Sequence, residues 1–332
     1  MTDISPAPII ASILGYFRTA AIQAAIRLDL FTRIAEGAED PAALAQACDA
    51  DARSLRSLCD FLVVDGHLMR DADRYRLTPS SATFLDRRSP AYMGSIEAFL
   101  ASPENRDQAL ADPLAFMRKS GRARPGNLAP DNPVWVAYAR AMLPLSTPVA
   151  KATAAALAPL APHARKILDV AAGSGIFGIE MLRALPEARV VAIDWPDVLA
   201  VARENAARRK VGGRLDLLPG SALEVEFGAG FDMVLIPNFL HHFDEATSAT
   251  LLRRARQALA PDGRVAIVEF IRSDGETPPE PVATFSLLMR ATTPAGDACT
   301  IAGLERAAGA AGFTRFTVTP LGTTLQTLFV AR

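Results

Sequence analysis

Residues 167–180 read ILDVAAGSGIFGIE, an apolar run that breaks into Gly173-Ser-Gly175-Ile-Phe-Gly178 and then resumes at helical spacing. No other stretch of the chain limits the possible folds so tightly. Glycines let the backbone turn sharply and approach a ligand closely, and the helix that follows offers free N–H groups. The pattern predicts a buried strand, a tight turn and a helix, with a nucleoside-bearing ligand at the turn. By itself it does not say which nucleoside.

The surrounding sequence supplies the architecture. Beyond residue 163 the apolar segments KILDV, RVVAID, RLDLLPG, FDMVLIPN and RVAIVEFI alternate with helical ones such as VLAVARENAARRK and ATSATLLRRARQALA. Such alternation predicts parallel strands in a doubly wound α/β sheet, with ligands at the strands' carboxyl ends. TRFTVTPL and LQTLFVAR then lie close together with no helix between them, which predicts an antiparallel hairpin at the sheet edge.

Upstream, residues 9–30 place apolar side chains at helical spacing and predict one long amphipathic helix. Asp40 and Pro41 suit the N-cap and first position of a second helix. ALAQACDADARSLRSLCDFLVVDGHL follows as helix, turn and helix, and Arg74–Thr78 reads as part of a β-wing. This is a winged-helix pattern, but ARSLRSLCDFLVVDG holds too few Lys and Arg for a helix that reads DNA, so its role is structural. Residues 119–133, KSGRARPGNLAPDNP, combine Gly, Pro and charge and predict a loop, after which WVAYARAMLPLSTPVAKATAAALAPL returns to helix.

Composition narrows the function classes. A formal net charge of −1 lacks the basic excess that nucleic acid or an acidic membrane surface would require. Cys48, Cys59 and Cys299 are too scattered for a disulfide framework or a zinc site. MTDISPAPIIASILGYFR resembles neither a secretory signal nor a membrane span. A cytoplasmic chain without a metal is expected.

Two carboxylates separate the candidate cofactors. Asp194 closes the second strand, where it can accept hydrogen bonds from a ribose diol in NAD and S-adenosylmethionine enzymes alike. Asp169 stands inside the first strand, where a dinucleotide site usually has an apolar residue. A carboxylate there repels a pyrophosphate and suits a cofactor carrying ammonium and sulfonium cations. That position and the terminal hairpin favour S-adenosylmethionine.

With LDVAAGSG, AIDWPDV, LHHFDEA, LAPDGRVAIVEF and AAGF in this order and spacing, the chain resembles the class I S-adenosylmethionine-dependent methyltransferases. It is most similar to the two-domain O-methyltransferases of the plant caffeic-acid type and their bacterial secondary-metabolite relatives. The resemblance covers nearly the whole chain. It implies a Rossmann-like, doubly wound seven-stranded sheet with an antiparallel last strand over residues 101–332. Residues 1–100 would form a helical winged-helix dimerisation domain, and a homodimer whose N-terminal module also borders the partner's substrate pocket. The cofactor contacts implied are Asp169, Ala171, Gly173, Gly175, Asp194, Trp195, Gly220, Ser221, Ala222 and Asn238, and the product is S-adenosyl-L-homocysteine.

The resemblance also places a catalytic base at His241 and its orienting acid at Glu269. A phenol ionises near ~10 and an ordinary imidazole near ~6.5, so a histidine is a suitable proton acceptor at neutral pH. Substrate contacts would fall on Tyr138, Met142, His242, Met289, Arg290 and Thr293. The chain departs from the family pattern in four places. His242 stands where Asp usually follows the base, and Ala298 replaces a third acidic residue. Gly220-Ser221 replaces a Gly-Asp pair, and Pro237 replaces a lysine. The expected reaction is methylation of a hydroxyl on a small or medium aromatic or polyketide-like metabolite. The alternative is C- or N-methylation by proximity without a histidine base. Contact with nucleic acid or membrane is not expected.

Overall fold

Pro113–Arg118, Val134–Ala141 and Leu143–Leu157 are helices that lead into a sheet beginning with β3, Lys166–Val170. The computed structural model describes residues 4–103, 106, 112–118, 133–273, 275–322 and 324–332. The loop expected over 119–133 therefore lies outside the described residues, save Pro133. The chain divides into two compact units, Met1–Ser102 and Pro103–Arg332.

In the second unit β3 is followed by β4 (Arg189–Asp194), β5 (Leu215–Pro219), β6 (Phe231–Pro237) and β7 (Leu259–Phe270). β8 (Phe316–Pro320) and β9 (Gln326–Ala331) complete a seven-stranded sheet of order β5-β4-β3-β6-β7-β9-β8. β3 to β7 pair in parallel, whereas β9 runs antiparallel to both β7 and β8. The order turns back between β3 and β6, so their carboxyl ends diverge and open a crevice there.

Strand alternation builds three layers. Ile167 and Val190 join one apolar cluster with the helices Leu143–Leu157 and Ile176–Ala184, while Leu168, Val170 and Val234 join the opposite cluster with Glu245–Ala258 and Ile301–Ala310. Both faces of the parallel strands are thus dry, which explains why KILDV and FDMVLIP are almost continuously apolar. Asp169, wholly buried, is an exception to that rule.

The first unit forms from short helices and one hairpin. Asp40 accepts hydrogen bonds from the amides of Ala42 and Ala43 and caps Pro41–Ala47, as its sequence predicts. Asp51 caps Ala52–Val64 in the same way. β1 (Leu68–Asp71) and β2 (Arg74–Leu77) pair antiparallel, and the Tyr75 hydroxyl donates to Asp60 at 2.7 Å. The single helix expected over 9–30 is corrected: the chain forms Ala7–Ile13, Tyr16–Arg27 and Leu30–Ala35. The first two are bent by 50° about the break at Leu14 and Gly15. Asp29 then adopts a left-handed φ of 57° that no helix interior accepts. Apolar spacing survives such breaks, so periodicity alone cannot reveal them. No single helix among the described residues is long and apolar enough to cross a membrane, although that bent pair reaches the required length and composition together.

Candidate active site

The glycine turn links two carboxylates to the backbone. Ala171, Gly173 and Gly175 all take positive φ, of 54°, 56° and 73°, to bring the chain from β3 into the helix Ile176–Ala184. The turned Gly173 amide donates to Asp194 Oδ2 at 2.7 Å, and the Trp195 amide donates to Asp194 Oδ1 at 2.7 Å. Asp169 Oδ2 accepts from the Gly178 amide at 2.9 Å, while its Oδ1 is buried without a partner. A Cβ on Gly178 would lie 2.8 Å from Val190 Cγ1 and 2.9 Å from Asp169 Oδ2, so the third glycine permits close packing of helix on strand. Burial raises Asp169 to about 7, against the opposing effect of the Gly178 N–H. Burial likewise raises Asp194 to about 6, with the Gly173 and Trp195 amides opposing it.

A cavity of about 350 Å³ opens at this crevice. Of the residues expected at the cofactor, Ala171, Gly173, Asp194, Trp195, Gly220, Ser221, Ala222 and Asn238 line it. Asp169 and Gly175 are not among the residues that line it. Tyr138 and His242, expected at the substrate, line the same cavity, and Met142 borders a smaller adjoining one of about 50 Å³ together with Tyr138 and Gly173. Trp135, Phe239 and Phe243 also line the main cavity and were not anticipated. Trp135 stands one helical turn before Tyr138, a spacing visible in WVAYARAM.

The remaining substrate candidates do not border either cavity. Met289 is buried, and Thr293 Oγ1 donates to the Met289 carbonyl at 2.7 Å and accepts from the Gly296 amide at 2.8 Å. Arg290 forms an ion pair with Asp297 at 2.8 Å.

Beside the cavity stands a buried acid–imidazole pair. β6 ends at Pro237, and a short turn carries His241 back over the end of β7, where Glu269 lies. His241 Nδ1 and Glu269 Oε2 are 2.7 Å apart, with exposures of 5% and 0%. The amides of Phe239 and His241 both donate to Glu269 Oε1, at 2.9 and 3.2 Å. An ionised carboxylate only accepts, and beside one an imidazole donates from Nδ1 and keeps Nε2 free to accept. Phe285 packs edge-on against the imidazole with ring centroids 4.8 Å apart and is itself stacked on Phe270. His242 faces differently. Its ring meets Trp135 edge-on at 5.9 Å, and burial, reinforced by neighbouring His241, holds its pKa well below the ordinary value. One histidine is braced by a carboxylate; the other is a neutral wall.

Known proteins resemble this chain in sequence and fold. Residues 167–263 match the methyltransferase domain family, and residues 10–87 match the O-methyltransferase dimerisation domain. A candidate O-methyltransferase from Nostoc punctiforme PCC 73102, solved as a crystal structure, is 42% identical with a TM-score of 0.94 and covers 99% of each chain. A 3-hydroxy-5-methyl-1-naphthoate 3-O-methyltransferase from Streptomyces sahachiroi is 27% identical over 289 residues, 83% of this chain and 80% of that one. A phenazine-1-carboxylate N-methyltransferase from Pseudomonas aeruginosa is 37% identical over 115 residues, 35% of this chain and 34% of that one. With both domains matched and a relative alike from end to end, the chain belongs to the two-domain, class I S-adenosylmethionine-dependent O-methyltransferases.

Proposed function

We propose that this enzyme methylates a hydroxyl group on a small or medium aromatic or polyketide-like secondary metabolite, with His241 as the general base. The observation that carries this reading is the buried pair of His241 Nδ1 and Glu269 Oε2 at 2.7 Å beside a cavity that both aromatic residues and carboxylates line. A neutral imidazole with its Nδ1 proton fixed by a carboxylate is built to accept a proton at Nε2 and to tolerate the resulting charge. The naphthoate O-methyltransferase is similar over most of the chain, which supports an aromatic acceptor.

The residues present fit S-adenosylmethionine. The unpartnered Asp169 Oδ1 suits the cofactor's ammonium group, and a pyrophosphate would be repelled from it. Asp194 retains lone pairs for a ribose diol after accepting its two amide bonds. Trp195, Gly220, Ser221 and Ala222 border the same cavity and would flank the adenine, with Ala171, Gly173 and Asn238 bordering the rest and Gly175 turning the chain into the helix. When bound, the cofactor supplies an electrophilic methyl group on a sulfonium. The protein's own contributions are alignment, exclusion of water by Trp135, Tyr138 and Met142, and removal of the acceptor's proton by His241. Met289, Arg290 and Thr293 act behind the wall in this reading.

The first unit serves assembly. Ile10, Ile13 and Phe17 are exposed on its leading helices, in a region matched to a dimerisation domain, and a winged-helix homodimer would cover them together with the adjacent exposed Ile9. Residues 1–100 would thus be the dimerisation domain and 101–332 the catalytic one.

The decisive experiment incubates the enzyme with methyl-labelled cofactor and a panel of phenolic, carboxylate-bearing and polyketide acceptors, and then locates the label. Label on oxygen supports the proposal. Label only on nitrogen or carbon would establish the alternative, which the partial match to an N-methyltransferase keeps in view.

A further inference from the structure

We propose that Gly296 is a positioning residue that sets the geometry of the His241–Glu269 pair, and that Thr293 fixes Gly296 in place. This rests on the reading of His241 as the base. The segment following the helix Glu280–Thr292 reaches His241 and Phe270, the residue after Glu269, through backbone hydrogen bonds. The Asp297 amide donates to the His241 carbonyl at 3.0 Å. Two residues later the Cys299 amide donates to the Phe270 carbonyl at 3.0 Å, and the Arg272 amide donates to the Cys299 carbonyl at 2.9 Å. One short segment therefore grips the residue that carries the imidazole and also the strand end that carries the carboxylate.

The contact with His241 depends on the absence of a side chain. A Cβ on Gly296 would overlap the His241 carbonyl oxygen and Thr293 Oγ1. Gly296 needs no left-handed φ, so the requirement is for space alone. The His241 carbonyl oxygen is backbone and cannot swing aside as a side chain could, so an alanine would push the His241 turn away from Asp297. Thr293 makes the approach reproducible: its hydroxyl accepts from the Gly296 amide at 2.8 Å and donates to the Met289 carbonyl at 2.7 Å. The Arg290–Asp297 ion pair ties the same segment back to the helix. Ala298, in the same segment, is buried and has no polar side chain, so the segment supports the His241 turn through its backbone.

The test compares G296A, T293V and T293S with the native enzyme, reading kcat, KM, affinity for S-adenosyl-L-homocysteine, the pH–rate profile and the downfield proton resonance of His241 Nδ1–H. Expected for G296A is a 10- to 100-fold fall in kcat, with affinity for the homocysteine product within twofold of native. Its Nδ1–H resonance should move or broaden, and the basic limb of its pH profile should shift. T293V should show the same pattern more weakly, and T293S should restore native values because it keeps the hydroxyl. Native kcat and a native Nδ1–H resonance in folded G296A would overturn the proposal. So would a T293S variant no better than T293V. If G296A does not fold, the two Thr293 variants decide. A native rate in His241→Ala would instead remove the base assignment, and the Nδ1–H resonance would then judge Gly296 on geometry alone.

Discussion

His241 and His242 are adjacent in the chain yet differ in every property that matters to catalysis. His241 has a carboxylate on Nδ1; among the described residues no acid pairs with His242, and burial disfavours its charged form. His241→Ala should lower methyl transfer to a hydroxyl by roughly 10²–10⁴, with little change in calorimetric affinity for S-adenosyl-L-homocysteine. Glu269→Gln should lose less, since the imidazole remains. His242→Ala should lower the melting temperature more than the rate. Asp169 and Asp194 make a different prediction. Burial raises both above the ordinary 3.8, so the folded, cofactor-free protein holds protons that the unfolded chain has already released. Their contribution to stability is full below about pH 4 and is lost as pH rises through about 6 to 7. Affinity for the cationic cofactor should rise over the same interval. Melting curves from pH 5 to 8 should fall less steeply for Asp169→Asn than for the native protein, and an identical slope would contradict the assignment. Asp194→Ala should weaken cofactor binding by on the order of 2–3 kcal/mol.

At the scale of elements, the glycine turn joins packing to chemistry. Gly178→Ala would force a methyl between Val190 and Asp169, and should destabilise the protein by about 1–3 kcal/mol in denaturant titrations while also weakening cofactor affinity. This turn was legible because its demands are local: KILDV maps onto β3 residue for residue, RVVAID onto β4, and the terminal hairpin onto β8 and β9. The cavity wall was partly legible, since strand ends and the turn converge wherever the sheet order reverses. What escaped depends on approach between distant segments. Gly296 meets His241 only through tertiary folding, and nothing in TTPAGDAC announces that encounter. Arg290 could not be assigned from sequence because its partner Asp297 lies beyond the helix end. The break at Gly15 was hidden by apolar spacing that continued across it.

For the whole molecule, the exposed Ile9, Ile10, Ile13 and Phe17 predict a concentration-dependent dimer. Ile13→Arg with Phe17→Asp should yield a monomer by sedimentation equilibrium, and a native monomer at micromolar concentration would contradict the assembly. The position of β9 carries a separate consequence. It follows β8 in the chain but lies inside the sheet, and its Thr327 pairs with Glu269 itself. During synthesis β7, which bears Glu269, must therefore wait, with one hydrogen-bonding edge bare, until β9 has emerged from the ribosome. That interval is when the nascent enzyme is most open to mispairing with a neighbouring chain. A stop placed before Gln326, which removes β9, would accordingly send the product toward aggregates and chaperones, well before any loss of catalysis could be measured.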